Sequence, residues 1–276
     1  MLPISDSILN LFTITFKYDI FSKEYYIYGV WGISLKTFKR ILIILFVLIV
    51  VTGLGVGMYG YSFYEDKLDE QPLADKVSDV RNDVNFVSIE DVPKDYINAV
   101  IAVEDHRYYD HGAIDIIGLG RAIFTNIKNG EMQEGGSTIT QQVAKNLYFI
   151  GEDNVFRRKI AEMFMAIDIE NNYDKEDILE LYINTIYFGD GYYGIKEACK
   201  GYLNKEPKDM TLAESTMMAG VPNAPSVYAP TVNKELCKQR QNKVISSMVE
   251  YGYISQEQAD SIDQSFIDTI NIDNNK

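Results

Sequence analysis

Two glutamates stand where a helical pattern calls for apolar side chains. In DYINAVIAVEDHRYY, Ile97, Ile101 and Glu104 fall at i, i+4 and i+7, which puts the Glu104 carboxylate in line with an apolar stripe. A lone acid there is costly unless it is paired or used. Used, it takes or gives a proton; paired, it is a buried ion satisfied by Arg107 or Arg121, and the pattern supports either. Glu162 is the second case, the only acid in KIAEMFMAI (159–167), a run apolar around most of a helix. A place at the solvent edge of that helix fits its spacing equally well. Between the two lies GGSTITQQVAKN (135–146), a run of glycines, hydroxyls and amides that ends in Lys145 and Asn146. Ser137 and Gln141 in such a loop either hydrogen-bond a sugar or phosphate or only cap the next helix, with Ser137 or Thr138 as the N-cap.

The elements that must hold these groups are helical. RRKIAEMFMAIDIE, KEDILELYINTIYF and LAESTMMAGV repeat apolar residues every three or four positions, and no alternating run of comparable length occurs. Glycines 130, 135 and 136, the stretch 189–194 and prolines 222, 225 and 230 mark the loops between them. Upstream, ILIILFVLIVVTGLGVGMYG begins an uncharged run over 41–64, long enough to cross a hydrocarbon core of roughly 30 Å at about 1.5 Å per residue. Lys36, Lys39 and Arg40 precede the run and Glu65, Asp66, Asp69 and Glu70 follow it, so the positive-inside rule predicts a cytoplasmic amino terminus and an external body. The expected division is a cytoplasmic segment 1–40, a transmembrane helix 41–61, a charged stalk 62–85, a catalytic domain 86–260 and a frayed acidic tail 261–276. Phe12, Phe16, Tyr25 and Trp31 suit either a membrane interface or a small disordered tail.

Composition narrows the function. The 276 residues carry 26 basic and 40 acidic side chains, a net charge of −14. With five basic and three acidic residues in the first 40, the remainder nets −16, which argues against a general nucleic-acid binder. An anionic ligand must meet a local basic pocket. Two cysteines, Cys199 and Cys237, exclude a disulfide scaffold and a four-thiolate zinc site, and two histidines leave little for imidazole-based metal chemistry. No metal ligand set is expected, and a Cys199–Cys237 bridge is not.

Five blocks taken together are far more specific than any one alone. They are EDHRYYDHGAIDIIGLGRA (104–122), GGSTITQQVAKN, RKIAEMFMAIDIE (158–170), ILELYINTIYFGDGYYGIKEA (178–198) and LAESTMMAGVPNAPSVYAP (212–230). In this order they resemble the peptidoglycan glycosyltransferases of family 51, the domain also found at the front of bifunctional penicillin-binding proteins. The resemblance covers roughly 86–230. Departures are Tyr108 where members often have Phe, Ala113 where they often have Gly, and Asn154 where many carry an Arg eight residues before the second glutamate. Arg157 or Arg158 is then the substitute for that basic group.

The resemblance implies a mainly α, lysozyme-like glycosyltransferase domain with a smaller membrane-proximal lobe, preceded by one transmembrane helix. It implies joining a lipid-linked glycan donor to the 4-hydroxyl of lipid II, with inversion at the anomeric carbon and release of undecaprenyl diphosphate. Glu104 matches the family's general base, since a sugar hydroxyl is a poor nucleophile until its proton is taken. Glu162 becomes the second catalytic carboxylate, orienting a basic group or cation at the diphosphate. Lys145 and Arg158, with or without a divalent cation such as Mg or Mn, neutralise the leaving group, and Asp105, Ser137 and Gln141 complete the substrate contacts. Asp105 assists the base or merely pairs, His111 braces the loop after Glu104, and Arg121 partners a carboxylate. Asn184, Gly189, Gly194 and Glu214 read as scaffold. Partners implied are lipid II, the growing glycan, the membrane and separate transpeptidases. No S-x-x-K or K-T-G occurs, so a monofunctional chain is expected. The competing readings are a glycan-cleaving hydrolase or lytic transglycosylase and a non-catalytic cell-wall scaffold.

Overall fold

The structure, a computed structural model, describes residues 15–19, 24–28, 35–129 and 136–271. It divides into two compact units, Met1–Tyr59 and Gly60–Lys276. In the first, β1 (Thr15–Asp19) and β2 (Glu24–Tyr28) pair antiparallel, with Phe16 opposite Ile27 and Tyr18 opposite Tyr25. This hairpin was not expected, although TFKYD and EYYIY are rich in the β-branched and aromatic residues that favour strands. Phe12 and Trp31 lie outside the described residues. Helix α1 (Leu35–Glu70) begins in this unit, and residues 41–51 are exposed. Among the described residues it is the one helix long and apolar enough to cross a membrane, with a mean hydropathy of 2.9 in its most apolar window.

The second unit is helical: α2 (Leu73–Arg81), α3 (Lys94–Glu104), α4 (Ile116–Asn129), α5 (Ile139–Tyr148), α6 (Val155–Asn172) and α7 (Lys175–Thr185) precede a small hairpin, β3 (Tyr187–Gly189) and β4 (Tyr192–Tyr193). Then come α8 (Gly194–Ala198), which continues through a π turn, α9 (Leu212–Gly220), α10 (Pro225–Tyr228), α11 (Lys234–Glu250) and α12 (Gln256–Asp260). The mainly α reading therefore holds. Two boundaries do not. The expected stalk belongs to the folded unit, because Leu73 and Val77, one helical turn apart, are buried and Phe63 and Leu68 pack on the same core. The expected tail is likewise docked: Ile267 and Ile270 are buried, and Lys238 Nζ holds the Asp268 carboxylate at 2.7 Å.

Local chemistry sets the helix starts. Thr138 caps α5 in a reciprocal box, its hydroxyl accepting from Gln141 N–H at 3.1 Å while Gln141 Oε1 accepts from Thr138 N–H at 2.9 Å. Such a cap contributes about 1 kcal/mol. Asn154 caps α6, Asp174 caps α7 and Thr211 caps α9 with Glu214 at its third position. Helices α3, α9 and α11 pack on one another, and α5 packs on α6 and α7. Helix α9 is apolar or small on nearly every face and is buried accordingly, whereas α7 buries Ile178, Leu179, Leu181, Tyr182 and Ile183 and keeps its charged first turn outside. Gly194, at φ +78°, follows the β hairpin where a Cβ would stand 2.8 Å from the Asn184 carbonyl oxygen, so only glycine fits. Asn184 itself ties α7 to residue 87 through two hydrogen bonds of 2.8 Å. In the hairpin, Tyr192 packs edge-on to Tyr202, whereas Tyr187 and Tyr193 are exposed and lie against each other at 4.7 Å.

Candidate active site

Glu104 is the last residue of α3, and α3 brings it to the wall of a cavity of about 500 Å³. Its side chain is 11% exposed. Oε1 accepts from Arg240 Nη2 at 3.1 Å and Oε2 from Gln142 Nε2 at 3.0 Å. The acid in the apolar stripe is thus paired, but by a residue of α11, 136 positions later, and not by Arg107 or Arg121. Arg107 instead faces Asp115 at 3.3 Å, and Arg121 Nη1 meets His106 Nε2 at 2.7 Å, so the carboxylate partner expected for Arg121 is replaced by an imidazole. Burial, then the Arg121 charge, hold His106 below its usual pKa, and its ring stacks on Tyr251 at 4.2 Å.

Asp105 has both oxygens engaged inside the protein. Oδ1 meets His111 Nε2 at 2.7 Å and Oδ2 accepts from the Ile139 N–H at 3.1 Å, fastening the loop after α3 to the start of α5. Asp105, expected among the substrate contacts, thus has a protein partner at each oxygen. His111 braces the loop as anticipated, its Nδ1 meeting the Gly112 carbonyl at 2.6 Å. With acceptors at both ring nitrogens, the imidazolium is the form that satisfies both. Desolvation opposes this charge, but the Asp105 and Gly112 hydrogen bonds outweigh it and raise the pKa. A raised imidazole pKa stabilises the fold fully below its unfolded value of about 6.5, and this contribution is lost as pH rises through the folded value. Thermal unfolding of the wild type and His111→Gln should therefore differ by about 1 kcal/mol at pH 5.5 and by less at pH 8.5. A difference that grows with pH would contradict the pairing.

Among the described residues, Asp105, His111 and Asp115 are the ligand-type atoms close enough for an ion, within 4.8 Å of one another. Each already has a protein partner: Asp115 accepts from the Ile117 N–H at 3.1 Å and faces Arg107.

Across the cavity from Glu104 stand Ser137, Gln141, Lys145 and Asn146 of the second motif block and Lys159 of α6. Lys145 has no hydrogen-bond or ion-pair partner among the described residues. Partial burial, then the charge of Arg158, lower its pKa. The Asn146 Nδ2 is buried and also unpartnered. Gln141 is committed through Oε1 to the α5 cap, and Ser137 does not cap; its hydroxyl accepts from Lys159 Nζ at 3.1 Å.

Glu162 is 1% exposed, not at a solvent edge, and does not line the cavity. Lys159 Nζ lies 2.7 Å from Oε2 and Arg158 Nε 3.1 Å from Oε1, so of the carboxylate's two basic neighbours one, Lys159, lines the cavity. Arg158 also donates to the Glu152 carbonyl and is absent from the cavity lining, where Lys159 takes the place expected for it. Adjacent residues on a helix point about 100° apart, and that rotation separates the two. Neither arginine fills the position of Asn154, which caps α6; Arg157 Nη2 donates to Ser62 Oγ at 3.1 Å and its guanidinium lies 4.5 Å from the Phe63 ring centre.

Arg240, Lys243 and Glu250 complete the charged lining and were missed. The signal was present: Arg240, Lys243, Ser247 and Glu250 recur at three- and four-residue spacing on α11, all on the cavity side, interleaved with buried Val244 and Met248. Cys199 and Cys237 are both buried free thiols, as expected.

The cavity sets Glu104 and Glu250 among basic side chains on a helical frame, and the sequence supplies the class. The family profile described as Transglycosylase matches residues 70–249, and the chain belongs to that family. Penicillin-binding protein 1F of Bacillus subtilis (strain 168) is 46% identical over 173 residues, 63% of this chain and 24% of the relative. Penicillin-binding protein 1A of Neisseria flavescens is 48% identical over 175 residues, 63% of this chain and 22% of the relative. The match thus spans less than a quarter of these relatives. The crystal structure of penicillin-binding protein 1A from Haemophilus influenzae aligns with 64% of this chain and 17% of its own at 24% identity and a TM-score of 0.39.

Proposed function

We propose that the chain polymerises lipid II into glycan strands by inverting glycosyl transfer, releasing undecaprenyl diphosphate. The observation that carries this reading is the placement of a held carboxylate, Glu104, and an unpartnered ammonium, Lys145, on one cavity. Glu104 takes the proton of the acceptor 4-hydroxyl as the oxygen attacks the anomeric carbon. Lys145, Lys159 and the Asn146 amide receive the charge that builds on the departing diphosphate. Lys159 Nζ is held by Glu162 and Ser137 and keeps a third N–H for that purpose. Glu162 is then a positioning residue, fixing Lys159 from below. A divalent cation, if the reaction uses one, would bind with the diphosphate. The glycan product would pass to separate transpeptidases.

The test is direct. Purified chain mixed with lipid II should produce polymer; conversion of preformed glycan into short fragments, with no polymer from lipid II, would select the hydrolase reading, and neither activity the scaffold. The proposed topology places 1–40 in the cytoplasm and the catalytic unit outside, supported by the basic residues before the apolar run and the acidic ones after it. External protease on intact protoplasts should digest the body, and full protection would sink this orientation.

A further inference from the structure

A carboxylate that serves as a base must stay charged in a cavity that excludes water, and must keep one lone pair aimed at the incoming hydroxyl. Glu104 stands among titratable groups from several elements. The phenols of Tyr96 on α3 and Tyr182 on α7 are completely buried, and neither hydroxyl has a hydrogen-bond partner among the described residues. Toward the cavity are Lys145 on α5, His106 after α3, Arg121 on α4 and Lys243 on α11. None of these six bonds to Glu104. Its direct partners are the neutral Gln142 and the charged Arg240.

Arg240 is itself held. Its Nε donates to the Gly220 carbonyl at 3.3 Å, and its guanidinium lies 5.9 Å from the Tyr228 ring centre. Its stem lies so close to α9 that a Cβ on Gly220 would stand 3.0 Å from Arg240 Cγ. The side chain is 13% exposed.

On the reading of Glu104 as the base, we propose that Arg240 is its positioning residue, holding Oε1 fixed so that the carboxylate stays aimed until the acceptor hydroxyl arrives. In the step itself the acceptor O–H bond breaks, its proton passes to Glu104, its oxygen bonds the anomeric carbon, and the diphosphate leaves with the electron pair of the broken C–O bond. Arg240 exchanges nothing. Protonation of Glu104 turns a neutral pair into a net positive charge in the cavity just as the leaving group becomes more negative, so the pair also opposes charge build-up.

The experiment compares Arg240→Gln and Arg240→Lys in the full chain. Arg240→Gln should lower kcat about ten- to a hundredfold with KM within about threefold. Arg240→Lys keeps the charge and loses the fork, so it should restore only part of the rate. A raised KM with unchanged kcat, or no recovery of rate in Arg240→Lys, would overturn the proposal. Thermal unfolding of Arg240→Gln, Glu104→Gln and the double variant supplies a readout independent of turnover: non-additive Tm shifts are expected, and additive ones would refute the pairing. A wild type that forms no polymer overturns the reading of the reaction, and the Tm cycle then decides the pairing alone.

Discussion

Glu104→Gln is expected to lower polymerisation by about 10²–10⁴-fold, the usual contribution of a positioned base, while lipid II binding changes little. Glutamine keeps the size and one acceptor oxygen, enough for Arg240 or Gln142 but not for both, since they donate to different oxygens, and it loses the capacity to take a proton. It also removes the counter-ion of Arg240, in a pair only slightly exposed. Some stability must therefore be lost, about 1–3 kcal/mol after allowing for solvent at the cavity mouth. Three measurements separate chemistry from structure: turnover, direct binding of lipid II and far-ultraviolet circular dichroism. Turnover should collapse while the other two hold. If the helical signal falls together with turnover, Glu104 is an ion partner of α11 and nothing more.

What could be read in advance follows from the range of each interaction. Glu104 and Glu162 declared themselves because an acid in an apolar stripe is a local anomaly, visible within one helical segment. Whether each is paired depends on distant residues, and no spacing rule reaches from Glu104 to Arg240. The burial of Glu162 under Lys159 and Arg158 depends on the rotation of α6 against its neighbours, which also decides that Lys159 and not Arg158 reaches the cavity. The spacing around Asp105 fits assisting the base or merely pairing, and its partners, the N–H of Ile139 and the ring of His111, meet it only after α3, α5 and the intervening loop are packed. The stalk and tail were misread for a simpler reason. Leu73, Val77, Ile267 and Ile270 are few among charged residues, and low average apolarity hid that they fall on single faces.

Lys145→Ala is expected to weaken lipid II binding by about ten- to a hundredfold, with little effect on a glycan that lacks the diphosphate. The part of the chain beyond residue 40 nets −16, so no overall field draws an anion in, and short-range charge-assisted hydrogen bonds must supply the attraction. Lys145 is the group best placed to supply one. It faces the cavity without a protein partner, while neighbouring atoms displace part of its hydration and the charges of Arg158 and Lys159 oppose its own. An arriving diphosphate relieves all three penalties at once, which is why a single ammonium can be worth about 1.5–3 kcal/mol here. Arg158→Ala should behave differently, because Arg158 serves the buried Glu162 and the Glu152 carbonyl and does not line the cavity. Its loss should appear first as a lower Tm, with affinity for the diphosphate affected only through the shift of Lys159. Binding of lipid II and of the diphosphate-free glycan to each variant should be compared at fixed detergent and salt. Equal losses for the two ligands in Lys145→Ala would remove the diphosphate from the site and return the hydrolase reading.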